Sequence, residues 1–170
     1  MVDLQPVRII GIDPGTRYTG VGIIDKYGNQ LKFVHSETIV TVNEKQLEEK
    51  LGIIFNCLTD LVQSYQPQMS SIERVFHSVN ARSSLLLGHA RGVAILAMHL
   101  LGVAVYEYAP NQIKSAVTGV GKAEKQQVAA MVQVLLNLNR SKRVREDESD
   151  ALAIAICHAN TQSVPIQKIG

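Results

Sequence analysis

With 170 residues, a net charge of +2 and 46% apolar residues, the chain is long enough to bury most of its apolar surface in one domain. It has no Trp, few aromatic residues and two cysteines, Cys57 and Cys157, far apart and in no CxxC pattern, which argues against a disulfide-stapled scaffold and for an aliphatic α/β core with idle thiols in a reducing cytoplasm. No apolar run reaches the length of a membrane span, and the opening MVDLQP lacks the basic and apolar parts of a signal peptide, so a single cytoplasmic domain over 1–170, with short tails at 1–6 and 161–170 and no membrane partner, is expected.

Residues 7–12 are apolar except for Arg8, and YTGVGIID (18–25) and LKFVHSETIV (31–40) follow with strand-like composition, YGN supplying a hairpin turn between them. From Glu44 to about Ser64 the apolar positions Leu47, Leu51, Ile54, Leu58, Leu61 and Val62 fall at helical spacing. MSSIERVF (69–76) reads as a short strand, and ARSSLLLGHARGVAILAMHLLG (81–102) as a long helix that is apolar on most of its surface and must be covered on more than one side. VAVYEYAP (103–110) makes a further strand, and helices follow over 111–117, 123–138 and 146 to about 161. Three hairpin-linked strands and then alternating helix and strand predict an α/β fold, a mixed five-stranded sheet with helices on both faces. Two loops stand out, HSVN (77–80) and the basic NRSKRVRE (139–146).

Charge is unevenly distributed. Residues 1–65 hold six Lys/Arg against eight Asp/Glu, a net of −2, whereas residues 74–145 hold ten against two, Glu107 and Glu124, a net of +8. Such a block is either spread over solvated helix faces or gathered into a surface for nucleic acid. The acids fall at telling places. Asp13 terminates the first strand and Glu73 lies near the end of the fourth; if those strands are parallel neighbours, both carboxylates project into the crevice at the strands' carboxyl ends. Asp147 and Asp150, three apart at the start of the last helix, share a face. Asp147 reads equally as a cap that complements the helix dipole, but Asp150 abuts the apolar run Ala151, Leu152, Ile154, Ala155, Ile156 and needs a partner. Arg74 would point to the opposite face from Glu73, so it is poorly placed to neutralise the set. Carboxylates crowded in a low-dielectric site either raise one another's pKa or hold a divalent cation, and hard oxygen ligands favour Mg²⁺ or Mn²⁺. Four carboxylates beside a basic face suggest a phosphodiesterase.

GIDPGT (11–16), IERVF (72–76), LGHARGVA (87–94), GVGKAEKQQV (119–128) and DESDALAIA (147–155), in this order and covering roughly residues 7–160, resemble the RuvC family of bacterial Holliday-junction resolvases. The resemblance implies an RNase H-like fold, a homodimer, and Mg²⁺-dependent nicking of two opposed strands of a four-way DNA junction in recombination and repair. It assigns Asp13, Glu73, Asp147 and Asp150 as catalytic residues and ligands to two Mg²⁺ ions, with Mn²⁺ a possible substitute. The implied chemistry is hydrolysis by activated water leaving 5′-phosphate ends, with Asp13 between the ions; on this reading an acid ends the first strand because metal sits at its tip. Gly15 would let the chain turn tightly after it, and Thr16 would hydrogen-bond into the turn. The branch-migration complex of RuvA and RuvB is the implied partner.

Other residues carry two readings. Phe76 is either a core residue or, by the resemblance, an exposed wedge stacking on an unpaired base. Lys114, Lys122 and Lys125 are either solvated or phosphate contacts near the cut, with Arg82 serving similarly, and the basic loop 139–146 is an extra DNA contact. The small residues Gly88, Ala90, Gly92, Ala94 and Ala97 permit close helix packing, consistent with a two-fold interface or with burial under the chain's own sheet. No pair among His35, His77, His89, His99 and His158 has zinc-ligand spacing. GVGKAEK fails as a Walker A loop, since Ala116 stands where the first Gly is required and Ala123 where Ser/Thr is. Three rival readings are an actin-like ATPase, which needs a longer chain with a second such domain, an RNA-processing nuclease of the same fold, and a non-catalytic junction-binding module.

Overall fold

The computed structural model describes residues 5–74, 80–138 and 144–161. Its elements are β1 (Val7–Asp13), β2 (Tyr18–Tyr27), β3 (Gln30–Val40), α1 (Leu47–Tyr65), β4 (Met69–Glu73), α2 (Ala81–Leu100), β5 (Ala104–Tyr108), α3 (Pro110–Thr118), α4 (Lys125–Leu135) and α5 (Glu146–Thr161), the order predicted. The five strands form one sheet in the order β3-β2-β1-β4-β5. The hairpin pairs β1–β2 and β2–β3 are antiparallel and the crossover pairs β1–β4 and β4–β5 parallel, as short turns and helical connections respectively require. The β2–β3 turn uses Gly28 at φ 57°, a conformation open to glycine without strain.

Where boundaries differ from the sequence reading, capping explains them. The first helix starts at Leu47 rather than Glu44 because Gln46 is its cap, its N–H donating to the Glu49 carboxylate. Asn80 accepts from the Arg82 and Ser83 amides and so starts α2 at Ala81. The expected helix 123–138 is shorter at both ends, capped through Glu124 and Gln127 and stopped before Asn137 at φ 49°. The fourth strand ends at Glu73, before the predicted Phe76. Phe76, His77, the rest of 75–79, the stretch 139–143 of the basic loop and the tail 162–170 lie outside the described residues.

Both sheet faces are covered. On one, Ile10, Ile12, Val21, Ile23 and Ile72 pack against Ile54, Leu58, Ala90, Ala94 and Met98 of α1 and α2. On the other, Ile9 and Ile24 meet Leu152, Ile156 and residues of α3 and α4. Nine consecutive residues of α5, Ala151–Ala159, are buried, so this helix is the axle of its layer. Asp25, also buried, is held by the Arg8 guanidinium through two hydrogen bonds of 2.7 and 2.8 Å, and the same guanidinium donates to the Tyr65 carbonyl at 2.9 Å, tying β1 and β2 to the end of α1. The lone base of the first strand is thus a structural one.

By length and composition alone α2 could cross a membrane, contrary to the sequence expectation that no run reaches that length. In the fold it lies against α1 and β5, and Arg91 near its centre pairs with Glu107 of β5.

Candidate active site

Three strands and one helix meet at a single point because side chains alternate along a strand. Gly11 and Asp13 of β1, Gly20 and Gly22 of β2, and Ser71 and Glu73 of β4 share one face: Gly11 is opposite Gly22, Asp13 opposite Gly20, and Gly11 beside Ser71. The glycines exist for α5. A Cβ on Gly11 would lie 2.1 Å from the Ala151 carbonyl oxygen, on Gly20 1.9 Å from that of Asp147, and on Gly22 2.7 Å from the Leu152 nitrogen. The helix therefore rests with its backbone on the bare sheet, and Ser71 Oγ donates to the Ile154 carbonyl at 3.2 Å from the next strand. This bed sets the start of α5, with Asp147 in its first turn and Asp150 just beyond, beside the tip of β1.

Asp13, Glu73 and Asp150 line one cleft of about 230 Å³ with Lys114 of α3 and Lys125 of α4. Burial, then the charges of Asp150, Glu73 and Asp147, push the Asp13 carboxyl up to about 7. Glu73 is raised by burial and then by Asp150. Burial raises Asp150 as well, opposed by Lys125, whose ammonium donates to Asp150 at 3.0 Å and also pairs with Glu146. Those two carboxylates in turn raise Lys125 above its ordinary value. Asp147 does not line the cleft but stands within electrostatic reach of Asp13.

The predicted acids are therefore brought together, and the partner that Asp150 needed is Lys125. Arg74 faces away, 3.7 Å from Glu107, so it neutralises none of them. Lys122 lies elsewhere, beside Thr118, Gln127 and Met131, and Arg82 is exposed in the first turn of α2. Among the described residues no three acidic, His or Cys side chains already converge at ligating distance. The donor set nevertheless fits a hard divalent cation: carboxylate oxygens from three elements, mutually repelling, with no described hydrogen bond to Asp13, would relax onto a cation as Lys125 withdraws.

The turn after Asp13 is built differently from the expectation. Gly15 is needed because a Cβ there would lie 2.4 Å from the Tyr18 carbonyl oxygen, its φ being unexceptional, and Thr19 rather than Thr16 closes the turn, donating to the Gly15 carbonyl at 2.7 Å and accepting from the Gly15 amide. The glycine bed itself was missed; its signal is Gly at alternate positions in two strands otherwise rich in Ile and Val.

The family model for Crossover junction endodeoxyribonuclease RuvC matches residues 9–158. A relative of that description from Citrifermentans bemidjiense is 47% identical over 156 residues, 92% of this chain and 94% of its own length. Among solved structures, T. thermophilus RuvC in complex with Holliday junction substrate superposes with a TM-score of 0.85 at 31% identity, covering 92% of this chain and 94% of that one. The yeast mitochondrial Holliday junction resolvase Ydc2 shares the fold, with a TM-score of 0.69 at 13% identity, 95% of this chain and 82% of that one being covered. A match this long to the family model, together with close relatives spanning almost all of both chains, places the chain in the RuvC family of crossover junction endodeoxyribonucleases.

Proposed function

We propose that the protein resolves Holliday junctions in DNA recombination and repair as a structure-selective endonuclease, making two symmetric nicks that leave 5′-phosphate ends. The observation that carries this is the convergence of Asp13, Glu73 and Asp150 with Lys114 and Lys125 in one cleft of a chain of this family. The family's nucleases depend on a divalent metal. In this chain Asp13, Glu73, Asp147 and Asp150 would hold two Mg²⁺ ions, Mn²⁺ substituting. Bound there, the ions supply a water of lowered pKa, Lewis acidity at phosphorus and a counter-charge for the leaving 3′ oxygen, in the manner of pairs about 3.5–4 Å apart.

The chain's own groups do the rest. Asp13 and Asp150 would hold the cation, and the Lys125 ammonium, with Lys114 lining the same cleft, would meet the phosphate being cut, positioning it without reading sequence. No nucleophilic side chain is required: the Ser71 hydroxyl is already committed to Ile154. Arg82, Lys122 and the basic loop serve as outlying phosphate contacts. Phe76, three residues past Glu73 in sequence, serves as the wedge at the junction centre, where stacking contributes about 1–3 kcal/mol per base.

Cutting two opposed strands takes two sites, and a second copy of the chain supplies the other. Leu85, Gly88, Gly92, Leu96 and Leu100 form an exposed stripe on α2, opposite the buried Ala90, Ala94 and Ala97, with open space above both glycines. This stripe is the surface on which two copies meet. RuvA and RuvB would deliver the junction by branch migration.

The test is cleavage of a synthetic four-way junction with Mg²⁺ by the native protein and Asp150→Asn, with a chelator control and with linear duplex and hairpin RNA alongside. Paired symmetric nicks that need both metal and Asp150 are expected. Tight junction binding without a nick would replace this reading by a scaffold, and cutting of RNA alone by an RNA-processing nuclease.

A further inference from the structure

The face of β2 that carries Gly22 and Gly20 ends at Tyr18, two residues further along the same alternation. α5 covers the glycines in turn with Leu152 and Asp147, and the chain just before it brings Arg145 over the third position. The Arg145 guanidinium lies 5.6 Å from the centre of the Tyr18 ring, and that of Arg17, from the β1–β2 turn, 6.0 Å from the same ring. All three side chains are exposed, Tyr18 by 36%. Neither guanidinium makes an ion pair or a hydrogen bond with a described residue. The turn that bears Arg17 is rigid: Thr41 donates to the Arg17 carbonyl from its amide at 3.0 Å and to the Thr16 carbonyl from its hydroxyl at 2.8 Å.

Two unpaired like charges gathered on one aromatic ring form a site for an anion. Sheet order fixes its place. Along the sheet Glu73 on β4, Asp13 on β1 and Tyr18 on β2 follow one another, so the arginines lie past Asp13 from Glu73, whereas Lys114 and Lys125 line the cleft itself. One strand spacing and two residues along separate Tyr18 from Asp13, on the order of 10 Å. We propose that Arg17 and Arg145, held by the Tyr18 ring, form a second backbone subsite that grips the cut DNA strand beyond Asp13, outside the cleft of Lys114 and Lys125. The subsite rests on the junction-resolving function proposed above and adds to it a second grip. Tyr18 is its positioning residue: a guanidinium lies favourably over an aromatic face and keeps its outer N–H groups for phosphate.

The test is binding of a fluorescent four-way junction in chelator across a salt series, with no cutting involved. Each phosphate contact contributes about 0.9 to the slope of log affinity against log salt. The Arg17→Gln, Arg145→Gln double variant is expected to lower the slope by about 2 and to weaken binding roughly tenfold near 0.1 M salt. Lys32→Gln, at the far end of β2–β3, controls for a change in net charge, and melting curves confirm folding. Tyr18→Leu should weaken binding with the slope nearly unchanged, and Tyr18→Phe should restore it. A double variant whose slope matches the native protein and Lys32→Gln, while the native protein binds and cuts junctions, overturns the subsite alone. Native protein that binds no junction overturns both the subsite and the function on which it rests.

Discussion

Asp13 shows how a functional residue is paid for in stability. Its carboxyl sits at about 7 against an ordinary value of 3.8, so the folded chain binds a proton there that the unfolded chain has already lost. Between these values stability falls as pH rises. In chelator, Asp13→Asn should therefore be more stable than the native protein at pH 8, by on the order of 1–3 kcal/mol, with the gain shrinking towards pH 4 and all junction cleavage lost; urea unfolding at the two pH values measures it. His158 has the opposite sign. Fully buried, with Nδ1 2.7 Å from the Tyr108 hydroxyl and its ring tilted against that of Tyr106, it is lowered to about 4 by burial and then by Lys26. The unfolded chain takes up a proton near 6.5 that the folded chain refuses, so stability present above pH 6.5 is lost as pH falls to about 4. The loss amounts to about 3 kcal/mol and, because Asp13 acts in the opposite sense, is read in the Asp13→Asn background, as a fall in the urea midpoint between pH 7.5 and pH 4 that adding His158→Asn should largely abolish. The sequence reading found only that His158 has no zinc-ligand spacing to another histidine; its partners Met69 and Tyr108 lie on β4 and β5, tens of residues away, and no local pattern shows them.

At the scale of elements, the three glycines under α5 set the geometry of the site. Gly20→Ala would push a methyl into the Asp147 carbonyl, and the first turn of α5 must lift. Overpacking of this kind costs about 1–3 kcal/mol. Cleavage by Gly20→Ala should fall at least tenfold in single-turnover assays, while junction binding in chelator changes little. Strand and helix order were legible in the sequence, because period-2 and period-3.6 apolar spacing is strong where helices and strands alternate; the parallel pairing of β1 with β4, on which the meeting of Asp13 with Glu73 hangs, entered only as a condition. The caps that trim α1 and α4 were less legible, since Glu49 and Gln127, which accept from the Gln46 and Glu124 amides, would serve equally within a helix. The pairing of Lys125 with Asp150 joins residues 25 positions apart on two helices, and only their packing reveals it.

For the whole molecule, the proposed pairing of two copies turns on α2. Leu85, Leu96 and Leu100 are 66%, 49% and 63% exposed, more apolar surface than a solvated helix needs. Leu96→Glu should convert a dimer to a monomer in sedimentation at micromolar concentration with the melting curve of the subunit retained, and should yield unpaired single nicks. The sequence reading left burial under the sheet and a two-fold interface both open for this helix. The fold uses Ala90, Ala94 and Ala97 for the first and leaves Gly88 and Gly92 bare.

The burial of α5 also bears on dynamics. A helix buried from Ala151 to Ala159 and bedded on glycine backbone has no way to open locally, so its amides exchange with solvent only when the whole domain unfolds. Asp150 stands immediately ahead of this stretch, one turn beyond Asp147. Local opening therefore spares the body of α5 that anchors Asp150, and heat inactivation should track global unfolding, with the slowest-exchanging amides in mass spectrometry lying immediately after Asp150.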